Sequence, residues 1–125
     1  MLTQIAHLYA TACLAVIFFQ IALIAGAPLG EYTQGGQQKG ALNAKGRIIA
    51  AVSIPVLAFQ GFAILSAAGF PGLGWPRWTA YAALSVSVIT MILNGITPSA
   101  RERAVWFPVT TVMAGLAAYV VIVTL

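Results

Sequence analysis

Four apolar runs of about 20 residues constrain this chain more than any other feature of its sequence. They cover residues 5–27, 48–70, 78–96 and 105–125, and no charged residue lies within them. A helix of ~20 apolar residues spans the ~30 Å hydrocarbon core of a bilayer. A span in lipid must satisfy its own backbone hydrogen bonds, and barrel strands are much shorter. The runs therefore predict an all-α integral membrane bundle of four transmembrane helices.

Composition supports the same class. The chain is 61% hydrophobic and only 6% charged, whereas soluble domains average roughly 25% charged residues. A water-soluble monomer of this composition would lack a polar surface. Because the connections between the runs are too short to build a core of their own, residues 1–125 form one predicted transmembrane domain.

Basic residues predict the orientation of the bundle. Three of them, Lys39, Lys45 and Arg47, follow the first run, and Arg101 and Arg103 follow the third. Only Arg77 follows the second run. Since Lys and Arg are retained on the cytoplasmic side, both termini are predicted to lie outside. The net charge of +4 is then a topological signal placed beside anionic lipid headgroups, and it gives no reason to expect a nucleic-acid partner.

Polar residues inside the apolar runs form the first group of candidates. Small and polar side chains recur along the third run at spacings of three and four, and Gln60 shares a helix face with Ser53 in the second. The candidate intramembrane polar residues are Gln20, Ser53, Gln60, Ser87, Thr90, Asn94 and Thr97. Such residues either bond neighbouring helices together or line a hydrated path. We favour helix packing, and we expect Thr111, Gly115 and Ala118 of the fourth run to face the third.

Charged residues around the basic connections form the second group. The segment 97–108 combines two arginines, a carboxylate, a tryptophan and two prolines, and Glu31 begins a Gly- and Gln-rich connection that we expect to be mobile. The candidate cytoplasmic contacts with lipid or a partner are Glu31, Arg47, Arg101, Glu102, Arg103 and Trp106. Arginines here suit lipid phosphates, and Trp suits the membrane interface. A recognition clamp for a partner protein or an anionic ligand is the alternative.

Catalytic and cofactor signals are sparse. The chain has one histidine, one cysteine and two carboxylates, without a haem-attachment or zinc-ligand spacing. We therefore predict neither a metal nor a cofactor. A membrane enzyme acting on lipid ranks third among the functions, and its candidate residues would be Glu31, Arg47, Arg101 and Glu102.

Two motifs carry a resemblance. The first is Gly26-Ala27-Pro28-Leu29-Gly30-Glu31-Tyr32 with Gly35-Gly36, and the second runs from Thr97-Pro98-Ser99 through Arg101-Glu102-Arg103 to Trp106 and Pro108. On these motifs the chain resembles an uncharacterised family of small bacterial four-helix integral membrane proteins. The resemblance implies a bacterial inner membrane and carries no activity, cofactor or binding residue.

These observations lead to a ranked expectation. The leading hypothesis is a small non-enzymatic inner-membrane protein that acts as an oligomer or as an accessory subunit of a membrane complex. The alternative is a small transporter or channel that uses the inward polar residues of spans two and three. Expected partners are anionic membrane lipids, further copies of the chain or other membrane subunits.

Overall fold

The computed structural model describes all 125 residues and consists of four long helices without a strand. Helix α1 covers Leu2–Ile24, α2 Ala44–Ala67, α3 Arg77–Ile96 and α4 Ala100–Val123. Each is long and apolar enough to cross a membrane. The prediction of an all-α bundle of four transmembrane helices is thus confirmed, and the chain is a multi-pass membrane protein.

Helix ends differ from the predicted spans because capping, rather than hydropathy, decides where a helix begins. The Asn43 side chain accepts from the Gly46 amide at 2.9 Å, so α2 begins at Ala44 rather than at 48. The Ser99 hydroxyl accepts from the Glu102 amide at 3.1 Å, so α4 begins at Ala100 rather than at 105. The basic residues Lys45, Arg47, Arg101 and Arg103 consequently lie on helices.

Helix α1 ends before its apolar run does. Gly26 adopts a φ of +101°, and the amide of Ala27 donates to the Ala22 carbonyl at 3.0 Å while the Gly26 amide donates to Leu23 at 3.1 Å. This paired bonding closes the helix at Ile24, and glycine is the residue that reaches the left-handed conformation without steric cost.

Short connections make consecutive helices antiparallel. Helix α1 packs most closely on α2 and α3 on α4, while α2–α3 and α1–α4 contacts close the ring. One end of the bundle carries the connections 25–43 and 97–99 with most of the basic residues, and is called the basic end. The other carries both termini and the connection 68–76, and is called the terminal end.

The main core lies in the terminal half of the bundle. Its members are mostly small side chains grouped around the fully buried Tyr9: Ala6, Cys13, Ala63, Ile64, Ala80, Ala83, Met113, Ala117, Val120 and Val121. Gly61 brings α2 close to α1, because a Cβ there would lie 3.8 Å from the Ala10 Cα. Small residues allow the two helices to approach closely. In lipid, where the hydrophobic effect does not drive helices together, such van der Waals packing holds the bundle.

Arg77 fixes the terminal end of the hairpin formed by α3 and α4. Its guanidinium donates to the Thr124 hydroxyl and to the Val121 carbonyl, both at 2.6 Å, and lies over the Tyr81 ring at 5.1 Å. The end of α4 presents carbonyls without helical partners, so a cation placed there satisfies them and opposes the helix dipole.

The expectation for the small residues of span four is wrong. Thr111 and Gly115 are exposed, and a Cβ on Gly115 would meet nothing within 4 Å. Helix α4 instead turns Thr110, Ala114 and Ala117 inward. Two faces of α4 carry small residues, so residue spacing alone does not predict which face turns inward. The rotation of α4 about its axis decides this.

Candidate functional site

A cavity of about 170 Å³ lies inside the bundle, on the basic side of the main core. All four helices and the first connection contribute to its wall, and we call it the polar chamber. Its lining residues are Val16, Phe19, Gln20, Tyr32, Thr33, Leu57, Gln60, Ser87, Thr90, Asn94, Glu102, Trp106, Thr110 and Met113. At ~30 Å³ per molecule, the volume corresponds to roughly five waters, which is the size range of a small polar solute.

Three polar side chains close the chamber toward the terminal end. The hydroxyls of Tyr9 and Ser87 share a hydrogen bond of 2.5 Å, and the Gln60 amide donates to Tyr9 at 3.1 Å and to Ser87 at 3.2 Å. The cluster joins α1, α2 and α3 and is buried. Beyond it lies the apolar core, so these groups act as interhelical bonds and also form the roof of the chamber.

Below the roof, several polar groups face the chamber with bonding capacity left. Asn94 donates from Nδ2 to the Thr90 carbonyl at 2.8 Å, which leaves its Oδ1 free. Gln60 uses only its Nε2, so its Oε1 is also free. The amide of Gln20 makes no hydrogen bond within the protein. The Thr90 hydroxyl donates to the Val86 carbonyl. The wall thus offers the amide oxygens of Asn94 and Gln60 as acceptors, together with the uncommitted amide of Gln20, which can both donate and accept.

Glu102 supplies the one charge on the chamber wall. The residue is 8% exposed, and its Oε2 accepts a long bond of 3.4 Å from the Gly35 amide. The single ion pair in the structure joins Arg101 to Glu31, so no cation lies within pairing distance of Glu102. A buried carboxylate is costly unless it is paired or hydrogen-bonded, and here its free side lies on the chamber.

Glu102 reaches the chamber because of the register of α4. Glu102, Trp106, Thr110 and Met113 follow at intervals of four, four and three residues, and all of them line the cavity. This is the period of one helix face. The pattern becomes visible in the sequence only when α4 begins at its Ser99 cap rather than at residue 105.

The first connection closes the chamber at the basic end. Glu31 pairs with Arg101 at 3.1 Å, and the Ser99 hydroxyl donates to the Glu31 carbonyl at 2.6 Å. Arg101 also lies over the Tyr32 ring at 6.0 Å. These contacts dock the connection on the start of α4 and place Tyr32 and Thr33 on the chamber wall. The Gly- and Gln-rich segment is therefore folded against the bundle, in contrast to the mobile loop expected from its composition.

The structure divides the candidate residues differently from the sequence. Of the intramembrane group, Gln20, Gln60, Ser87, Thr90 and Asn94 share the chamber. Ser53 lies outside it and donates to the Ile49 carbonyl at 3.1 Å. Thr97 is buried beside the basic end, where its hydroxyl accepts from the Ser99 amide at 3.3 Å.

The second group is split between the chamber and the surface. Glu102 and Trp106, placed with the headgroup contacts on sequence grounds, line the chamber, and Trp106 packs edge-on against Phe19 at 4.7 Å. Arg101 and Arg103 are exposed, and Arg103 donates to the Thr97 carbonyl at 2.7 Å. Arg47 donates to the Leu42 carbonyl at 2.9 Å and does not join Glu31.

Sequence reasoning missed Tyr9, Tyr32 and Thr110. Tyr9 is fully buried in the first run, and a phenol within hydrocarbon needs a hydrogen-bond partner, so its hydroxyl was a usable signal. Tyr32 and Thr110 carry no such signal, since their positions depend on how the connection and α4 dock. No three potential metal ligands come together, and Cys13 is buried in the core.

Comparisons with known proteins identify no relative: no family model, curated protein or solved structure matches this chain.

Proposed function

We propose that this protein is a small membrane transporter whose polar chamber binds a small organic cation with several N–H donors. One observation carries the proposal: Glu102 is buried without a cationic partner, on the same cavity as the free oxygens of Gln60 and Asn94. A cation with several donors complements a carboxylate and neutral acceptors together. An anion would find no positive side chain on this wall.

Glu102 has few partners of its own. It lies in the first turn of α4, where the helix dipole favours an acidic side chain, and within the protein its carboxylate accepts one long bond, from the Gly35 amide at 3.4 Å. A guanidinium or ammonium group in the chamber would supply the missing partner through charge-assisted hydrogen bonds. The arrangement therefore favours a cationic occupant over a neutral molecule of the same shape.

The distribution of polar groups supports transport over packing alone. Ser87, Thr90 and Asn94 lie along one face of α3 and cover about 10 Å of depth at 1.5 Å per residue. Groups at successive depths facing one cavity are what a solute path requires. The Tyr9, Gln60 and Ser87 cluster closes the chamber toward the terminal end, and the first connection closes it toward the basic end. This arrangement fits an occluded carrier that opens to one side at a time.

A pair of isosteric probes tests the proposal. Guanidinium and urea are planar and similar in size, and they differ in charge. Binding to the purified protein in detergent is measured by calorimetry, and uptake of labelled guanidinium is measured in proteoliposomes. We expect guanidinium to bind more tightly than urea by about tenfold or more, and Glu102→Gln to remove that preference.

Glu31→Gln is the charge control, because it neutralises the other carboxylate, which does not line the chamber. The bond from the Ser99 hydroxyl to the Glu31 backbone carbonyl remains in this variant and keeps the connection docked. The variant should keep the preference for guanidinium. Equal binding of guanidinium and urea, or an unchanged preference in Glu102→Gln, would refute a cation site at Glu102. Binding without any uptake into proteoliposomes would remove the transport step.

The second candidate function is that of an oligomeric or accessory subunit. The outward small residues of α4 favour it, since Thr111 and Gly115 leave room for another helix to approach. Native mass spectrometry of the gently isolated protein measures the assembly directly. A stable oligomer that dissociates in Gly115→Leu would support this role, and a monomer without other chains would count against it.

We propose the bacterial inner membrane as the location, with the basic end in the cytoplasm. The charge bias supports this orientation, and the exposed Arg101 and Arg103 are suited to anionic headgroups there. In the same mass spectra, neutralising both arginines should reduce the anionic lipid retained. An unchanged lipid content would exclude that contact.

A further inference from the structure

A second cavity adjoins the polar chamber. It measures about 390 Å³, lies between α2 and α3, and has α1 as its floor. It shares Val16, Gln20, Leu57, Gln60 and Thr90 with the chamber. The remaining lining residues are Ile48, Ile49, Val52, Ser53, Val56 and Val86. We call this cavity the lateral groove. The shared residues place the chamber and the groove directly beside each other.

The groove opens toward the hydrocarbon of the bilayer. Val52, in its wall, is 61% exposed, and Ile49 and Val56 are also exposed. The side-chain contacts between α2 and α3 involve Phe59 and Gln60: Gln60 bonds Ser87, and Phe59 packs against Trp78. Nearer the basic end the two helices leave room between them, and the exposed residues belong to a membrane span.

The groove itself is chemically apolar. Ser53 is its one polar residue that is not shared with the chamber, and its hydroxyl already donates to the Ile49 carbonyl. A hydrocarbon chain fits this lining. The wall changes character at Gln20 and Gln60, whose free amide atoms would be left without partners if only hydrocarbon filled the space.

The adjacency of a polar chamber that holds a carboxylate and an apolar groove points to one kind of occupant. We infer that the ligand is an amphiphilic cation, with an ammonium or guanidinium head in the polar chamber and an alkyl chain in the lateral groove. The inference rests on the proposed function and names the class of its substrate. Such a molecule supplies a partner to Glu102 at one end and covers the exposed valines of α2 at the other.

Charge separates this occupant from an anionic phospholipid whose headgroup carries no cation. A phospholipid chain also fits an apolar groove, but its phosphate would approach a chamber whose one charged side chain is a carboxylate. Like charges disfavour each other strongly where solvent screening is weak. The arginines that suit a phosphate, Arg101 and Arg103, lie outside the chamber and the groove.

Alkylammonium ions of different chain length test the inference. Methylammonium presents the head alone, whereas octylammonium adds a chain long enough to enter the groove. Each displaces labelled guanidinium from the purified protein, and retention of octylammonium is recorded independently by native mass spectrometry. We expect octylammonium to displace guanidinium at a concentration at least about tenfold lower than methylammonium requires, because the octyl chain is buried against the groove.

Two tryptophan variants show where the chain lies. Val52→Trp fills the groove from the α2 side, and Val112→Trp adds the same bulk to α4, at a residue of similar exposure, 59%, that lines neither cavity. The advantage of octylammonium should fall below about threefold in Val52→Trp and persist in Val112→Trp. Melting temperatures check that each variant is folded. If Val52→Trp does not fold, Val86→Trp blocks the same groove from α3.

The possible outcomes distinguish the proposed cation site from the inference that the ligand is an amphiphile. If guanidinium binds and chain length brings no advantage, the amphiphile is refuted while the cation site stands. If the advantage survives in both groove variants, the chain lies elsewhere, and the inference is again refuted. If neither guanidinium nor octylammonium is retained, the cation site fails as well. Loss of the advantage in the groove variants alone supports the inference.

Discussion

At the scale of single residues, the buried side chain of Gln60 links three helices. Its side chain is 4% exposed, and it bonds to Tyr9 on α1 and to Ser87 on α3. An amide within the hydrocarbon layer is satisfied only by such neighbours, since neither lipid nor bulk water is available to it. The same residue carries the roof of the chamber and, through its free Oε1, part of the chamber wall.

We expect Gln60→Leu to destabilise the bundle by about 1–2 kcal/mol, because it removes two interhelical hydrogen bonds while keeping the volume similar. The measurement is the melting temperature in mild detergent. Gln4→Leu is the control, since Gln4 is exposed near the start of α1. A fall no larger than that of Gln4→Leu would show that the buried bonds contribute nothing measurable.

At the scale of elements, the first connection and the start of α4 behave as one unit. Gly36 lies against Ser99, and a Cβ there would stand 2.7 Å from the Ser99 Cβ. Ser99 in turn caps α4 and bonds the Glu31 carbonyl. The cap that fixes the register of Glu102 is thus also the surface on which the connection docks, so the floor of the chamber depends on both.

We expect Gly36→Ala to loosen this docking more than Gly40→Ala. Both glycines have a positive φ, +69° and +73°, so both variants carry similar backbone strain. A Cβ on Gly40 would meet nothing within 4 Å. Hydrogen exchange at the backbone amides of residues 30–36 measures the loosening and should be faster in Gly36→Ala. Equal exchange rates in the two variants would mean that the contact with Ser99 does not hold the connection.

At the scale of the whole molecule, the two ends of the bundle differ in charge and in build. The basic end carries five of the six basic residues and a connection folded across the chamber. The terminal end is closed by the alanine-rich core and by Arg77 bound to the end of α4. The chamber therefore lies between the apolar core on one side and the docked first connection on the other.

The charge bias predicts which end faces the cytoplasm. Because the native cysteine, Cys13, is buried, introduced cysteines report on their own positions. In intact cells, an impermeant maleimide should label Leu125→Cys and should reach Gln37→Cys only after permeabilisation, since both positions are exposed at opposite ends. The reverse pattern would invert the orientation and place the basic end outside.

Much of this protein is determined by its sequence alone. The number of helices, their approximate bounds and the membrane class follow from hydropathy, because each span must be long enough and must bond its own backbone. Gln60 and Ser87 could be singled out as inward residues, since polar groups in hydrocarbon need protein partners. These properties are local, and they do not require knowledge of which helices touch.

Only the tertiary structure decided which polar residues line the chamber and which lie at the surface. Glu102 belongs to a basic segment in the sequence and to the chamber in the structure, because the Ser99 cap sets the phase of α4. Gly115 faces outward for the same reason. The lateral groove exists because α2 and α3 separate on the basic-end side of Gln60. Helix rotation and separation depend on contacts between residues distant in the chain, and the apolar pattern of a membrane helix constrains neither.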